Sequence, residues 1–342
     1  MGVRDTTQGR GSEGRSVHCG VEMDAELFLR DLEDKPDRLR SLADGLDAAP
    51  VWGAVPPGTR RVVLLGMGSS RYAAAVIAAR LRASGVHAVA EYASAVAATP
   101  GGAGTVAIGI SASGKTEETT AALRRHRDAG SAAIALTNAP ASAIAVAGTG
   151  VLDLMAGPEQ GGVACRSFQH TLALLLALED RLLGHDISRV PSVLRRAADA
   201  TEDLLARRDS WLAAAGDLLT ASGQPFLLAP HERLSSAEQG ALVLRQGPRL
   251  PASACETADW LHVDVYLTKS LDYRAMLFAG SGFDDEAMGW MRDRGATVVA
   301  VGGDIADAKA TIRYPGDDDP EVALLTEVLV AELVAADLWG RG

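Results

Sequence analysis

Apolar positions in this chain fall into two alternating rhythms. Short continuous apolar runs lead into Gly/Ser turns, and each turn leads into a stretch with helical spacing. Residues 24–48 carry a helical period interrupted at Pro36 and predict a leading helix pair. The run Val62 to Leu65 predicts a buried strand, followed by a helix from Arg71 to Ala83 and a short strand from His87 to Glu91. The pattern then repeats as strand 105–110, turn 111–115 and helix 116–129. Strands Ala132 to Leu136 and Gly150 to Leu154 and a long apolar helix, Phe168 to Leu183, follow. A polar helical stretch over 190–220 leads to strand 225–230, helix 234–246, strand 274–279, helix 284–294, strand 297–301 and a last helix, Glu321 to Leu338. Strands alternating with helices at this spacing imply right-handed βαβ units, hence an α/β fold with mostly parallel, flavodoxin-like doubly wound sheets.

The rhythm is duplicated. The segments 121–137 (AALRRHRDAGSAAIALT) and 288–302 (MGWMRDRGATVVAVG) share a basic helix end, a glycine and a strand. The expected organisation is a disordered segment over 1–22, a first lobe with its leading helices over 23–188, and a linker helix with a second lobe over 189–342. Ligands of open parallel sheets sit beyond the carboxyl ends of the strands. Those ends carry Ser69-Ser70 and the run Ser111 to Thr116 in the first lobe, but Gly280 to Asp285 in the second. Asp284 and Asp285 would repel an anion at close range, so an anion site is expected in the first lobe alone.

Composition narrows the picture. Of 342 residues 47% are hydrophobic and 23% charged, as in globular proteins, and with 4% aromatics the core is aliphatic. The net charge of −11 excludes a general nucleic-acid or anionic-membrane surface. Three distant cysteines (Cys19, Cys165, Cys255) form neither a disulfide framework nor a zinc motif. No apolar run reaches membrane-spanning length and the polar N-terminus lacks a signal-peptide core. A cytoplasmic protein with no metal and no cofactor is the expectation.

SASGKT (111–116) suits a phosphate monoester. Ser111, Ser113 and Thr116 supply hydroxyls, Gly114 admits the backbone, Lys115 adds a charge, and the following helix start adds free N–H groups. Ser113 or Thr116 could equally serve as an N-cap, with Glu117 and Glu118 in the first turn. The P-loop spacing is absent. A second hydroxyl turn, Gly68-Ser69-Ser70, strengthens the anion reading if the two turns converge.

GMGSSRYAA, SASGKTEET and AGPEQGGVACRSFQHTLALLLAL (156–178) resemble the successive signatures of the sugar isomerase (SIS) domain. Over about residues 24–340 the chain is similar to the tandem-SIS isomerase module of glutamine–fructose-6-phosphate aminotransferase and to stand-alone amino-sugar-phosphate deaminases and deglycases. The resemblance implies two tandem SIS domains and phosphate contacts from Ser70, Ser111, Ser113 and Thr116, with the Ala112 backbone and Ser69 beside them. It places Glu159 near the sugar, though a helix-cap carboxylate is the alternative. It also implies a homodimer with sites built across the subunits, and leaves a glutaminase or other biosynthetic partner open.

The second lobe departs from the family pattern. The family segment E-G-A-L-K-L-K-E ends in the base that moves a proton between sugar carbons, and a ring-opening His follows sixteen residues later. Here the segment reads Gln239 to Gln246, so Gln246 stands at the base position and Val243 at the first lysine. The histidine position is kept as His262, with a structural histidine as the alternative. The family's lysine-bearing C-terminal loop has no counterpart after Trp339. Glu238, Glu256, Asp259 and Asp264 are substitute carboxylates, and Asp259 aligns with a family glutamate. Two functions stay open. One is an enzyme that opens, then isomerises, deaminates or deglycates a hexose or amino-hexose 6-phosphate, with His262, Gln246, Asp259 and Glu159 at the reacting end. The other is a sugar-phosphate sensor or partner subunit without turnover.

Overall fold

The computed structural model describes residues 23–341 apart from positions 50, 57 and 187; the expectation of disorder for 1–22 lies outside the described residues. The first lobe opens with α1 (Ala25–Glu33) and α2 (Lys35–Ala48). Asp24 caps α1 by accepting from Leu27 N at 2.9 Å. Pro36 sits in the first turn of α2, where its missing N–H breaks no ladder bond, so it separates two helices instead of kinking one. There follow β1 (Arg61–Gly66), α3 (Ser69–Ala83), β2 (His87–Tyr92), β3 (Thr105–Ile110), α4 (Glu117–Asp128), β4 (Ala132–Thr137), α5 (Ala143–Ala147), β5 (Gly150–Asp153) and α6 (Arg166–Leu183).

Helices α7 (Arg189–Ala206) and α8 (Leu212–Thr220) precede the second lobe. It comprises β6 (Pro225–Ala229), α9 (Leu234–Gln246), β7 (Ser253–Glu256), α10 (Thr257–Trp260), β8 (Arg274–Phe278), α11 (Asp284–Asp293), β9 (Thr297–Val301), β10 (Ala310–Ile312), α12 (Pro320–Thr326) and α13 (Val328–Gly340). The first sheet runs β2-β1-β3-β4-β5 and the second β10-β9-β8-β6-β7. Read from its other edge, the second sheet has the same order as the first, and every pairing is parallel. Each is the doubly wound order whose switch point lies between the first strand and the third.

Period-two alternation sets the layers. Val62 and Leu64 of β1 face α3 and α6, whereas Val63 and Leu65 face α4 and α5. In the second sheet Leu227, Met276 and Val299 join the same large core as the first lobe's inner face, while Phe226, Ala275 and Val298 pack under α10 and α11. One aliphatic core therefore runs through both lobes.

Several sequence expectations need correcting. Helix α3 begins at Ser69, not Arg71, so both serines lie in its first turn, directly after Gly68 at φ 50°. The stretch 190–220 is two helices separated by a 3₁₀ turn at Arg208–Ser210. Strands β7 and β10 were not foreseen. The expected last helix is two, meeting at Glu327, a fully buried acid paired with Arg233.

Candidate functional site

The carboxyl ends of β1 and β3, the switch point of the first sheet, open on a cavity of about 580 Å³, within the range of small-molecule sites. Ser70, Ser111, Ala112, Ser113, Lys115 and Thr116 line it, so the two hydroxyl turns converge. Ser69 and Gly114 stand beside it and are not in its wall. Gly114 adopts φ +67°, and a Cβ there would fall on Ser142 Oγ, so only glycine fits this turn.

The capping alternative fails for α4. Thr116 occupies the N-cap position without a side-chain capping bond. Its hydroxyl lies 3.0 Å from Ser111 Oγ, and Ser113 Oγ accepts only from Lys115 N, at 3.3 Å. The first N–H groups of α4 are thus left for a ligand, as at other anion-binding helix starts. The same holds at α3, where Gly68 caps without a side chain.

Glu159 lines the cavity, but its carboxylate is committed to the start of α6. It accepts from Cys165 N at 3.0 Å and Ser167 N at 2.7 Å, with Arg166 Nε at 3.7 Å. The helix-cap alternative is observed, and the residue lines the cavity at the same time. Asn138, unnoticed in the sequence, also faces the cavity; its amide donates to Ser167 Oγ and accepts from Ala156 N. Gln246 ends α9 and reaches the wall from the second lobe. Helix α9 is seated there by Arg71–Glu238 at 2.9 Å and by Gln239 Nε2 donating to Ala164 O at 2.6 Å. Burial raises the Glu238 carboxyl above its ordinary value, with Arg71 pulling it back.

His262 and Asp259 are not at this cavity. Both follow β7, an edge strand of the second sheet, and both are exposed. His262 lines a separate groove of about 590 Å³ with Tyr266, Lys269, Phe283 and Trp290. Within one chain the expected reacting end is therefore not assembled. Neighbouring Asp264 is raised by burial and by Asp259, and the Cys255 thiol is pushed up to about 12, chiefly by burial. No cluster of His, Cys, Asp or Glu suited to a metal occurs among the described residues, and no described helix is long and apolar enough to cross a membrane.

The second lobe fills its own turns. At the β8–α11 turn the buried Asp284 carboxylate accepts from Gly280 N at 2.6 Å and Ser281 N at 3.0 Å, taking the seat that is open after β3. After β6, Arg233 donates to Ala279 O and pairs with Glu327. The sequence pointed to repulsion at this turn; the structure shows an internal carboxylate occupying it.

Fold and cavity define a protein of two like-wound lobes with a ligand crevice at the switch point of the first. Residues 58–179, within that first lobe, match the SIS domain family. Relatives include glutamine–fructose-6-phosphate aminotransferases of Pyrobaculum aerophilum, 28% identical over 71% of this chain and 42% of the relative, and of Sulfurisphaera tokodaii, 24% identical over 93% and 54%. The chain thus spans about half the length of these curated relatives or less. Among solved structures, the C-terminal domain of glucosamine-fructose-6-phosphate aminotransferase from Francisella tularensis has a TM-score of 0.76 at 15% identity, covering 92% of this chain and 96% of that one. Tagatose-6-phosphate ketose/aldose isomerase from Escherichia coli has 0.73 at 16% identity, covering 92% and 93%. At these identities the structural likeness is one of fold.

Proposed function

We propose that this chain holds a hexose or amino-hexose 6-phosphate by its phosphate in the first-lobe cavity and acts at C1 and C2 of the sugar as a dimer. The observation that carries the reading is the convergence of Ser70, Ser111, Ser113 and Thr116 on one cavity with Thr116 free of capping duty. The names of the relatives, which concern fructose 6-phosphate, are consistent with it. Ring opening needs an acid/base, and His262 is the residue that keeps the family's ring-opening position. In this proposal it enters the cavity from a second copy, since the histidine's own chain keeps it in a different groove.

A second reading, binding without turnover, is favoured by one feature. The charged groups lining the cavity among the described residues are Lys115, at the hydroxyl turn, and Glu159, tied to α6, so the single chain supplies no free base.

Thermal shift with phosphosugars and their unphosphorylated parents tests the common ground. A bound phosphosugar at one hundred times its Kd adds about 2.7 kcal/mol of stability, and S111A/T116V should abolish the shift. Equal shifts without the phosphate would refute the reading. Turnover of phosphosugars by the natural chain separates the two forms, and Q246E assayed with fructose 6-phosphate probes the site: gained isomerase activity marks a site otherwise intact, and no gain marks wider remodelling.

A further inference from the structure

The walls of the cavity away from the hydroxyl turns carry information about the other end of the ligand. Met23, Ala139 and Pro158 make them largely apolar, and Met67 and Ile110 add apolar surface beside the turns. Glu159 spends Oε1 on two backbone N–H groups, and its Oε2 accepts from the Cys165 thiol at 3.4 Å with Arg166 Nε at 3.7 Å, so its charge is already balanced by a neighbouring guanidinium. Asn138 is engaged at both ends of its amide. Gln246 is different. It is exposed, and among the described residues its carboxamide has no hydrogen-bond partner.

Resting on the phosphosugar reading above, we infer that the ligand is a 2-acylamino sugar 6-phosphate, and that Gln246 is the residue selecting it over the free amine. An ammonium at C2 would meet apolar side chains and a neutral amide, with the nearest carboxylate, Glu159, already balanced by Arg166, which is unfavourable. An acylamino group is neutral. Its N–H and C=O match the acceptor and donor of a carboxamide one for one, and its alkyl end covers the apolar wall that a hydroxyl would leave wet. The glutamine is thus read as a positive determinant of specificity, where a carboxylate at the same place would favour the cation.

Calorimetric titration of the full chain with N-acetylglucosamine 6-phosphate, glucosamine 6-phosphate and fructose 6-phosphate, at mildly acidic pH where the sugar amine is protonated, tests this. The acetylated probe is expected to bind at least about tenfold more tightly than either of the others, a difference of one hydrogen-bonded group's discrimination. Q246E should narrow or reverse its advantage over glucosamine 6-phosphate while leaving the unliganded melting temperature unchanged, since the side chain is exposed and unpartnered. Equal or tighter binding of glucosamine 6-phosphate or fructose 6-phosphate by the natural chain overturns the inference and leaves the phosphosugar reading standing. A preference that Q246E does not alter removes Gln246 from it. Absence of binding by all three overturns both.

Discussion

Gly114 is the residue on which the cradle turns. Its φ of +67° belongs to the left-handed region, and Ser142 Oγ occupies the space a Cβ would need. G114A should destabilise the chain by roughly 1–3 kcal/mol and weaken phosphosugar binding more than stability, measured by denaturant titration and calorimetry. G114A/S142G removes the clash but keeps the strained dihedral, so it should recover only part of the loss; full recovery would show that φ is irrelevant here. The importance of this glycine was legible in SASGKT, because hydroxyls flanking a glycine before a helix have few other uses. Glu159 was not legible in the same way. Whether its carboxylate faces a ligand or a helix start depends on where α6 begins in space, and the cap links it to residues six and eight positions on.

At the scale of elements, α9 is the part of the second lobe that completes the first. Its periodicity was readable, and so was its end at Gln246, but its seat against α3 rests on a partner far away in sequence, Arg71 with Glu238. That carboxyl is raised by burial between the two helices. Between its ordinary value and the raised one, the folded chain holds a proton that the unfolded chain has released. The unfolded state then binds fewer protons, so stability falls as pH rises across this window and is level above it. E238Q should remove that contribution, so the pH-dependence of the melting temperature should differ between natural chain and variant within the window and be parallel above it. Parallel curves throughout would place the titration elsewhere. Strands β7 and β10 were missed for a related reason. Both are short strands at the two edges of the second sheet, and β10 has three residues, so pairing with a neighbour defines them more than any period of their own.

For the molecule as a whole, the duplication could be read from matching helix–glycine–strand endings, but the device that joins the lobes could not. Lys35, in the first turn of α2, and Glu332, midway along α13, are fully inaccessible and bonded to each other, with Glu332 Oε1 left unpartnered. A lysine near a proline at a helix start reads as a surface residue, since lysines are rarely buried unless paired. The only signal was the lone acid in the apolar run of α13. The pair lies within the core that both lobes share, so it bears on the whole fold and not on one lobe. Removing one partner strands the other charge without water, a loss of roughly 3–5 kcal/mol. K35M should therefore show that loss in urea denaturation as a single shifted transition. K35M/E332L, which leaves no charge behind and fills similar volume, should recover most of it, because desolvating the natural pair already consumes much of its attraction. A double variant no more stable than K35M would mean that the pair fixes the geometry of α2 on α13, and with it the joining of the lobes, in a way that apolar packing cannot replace.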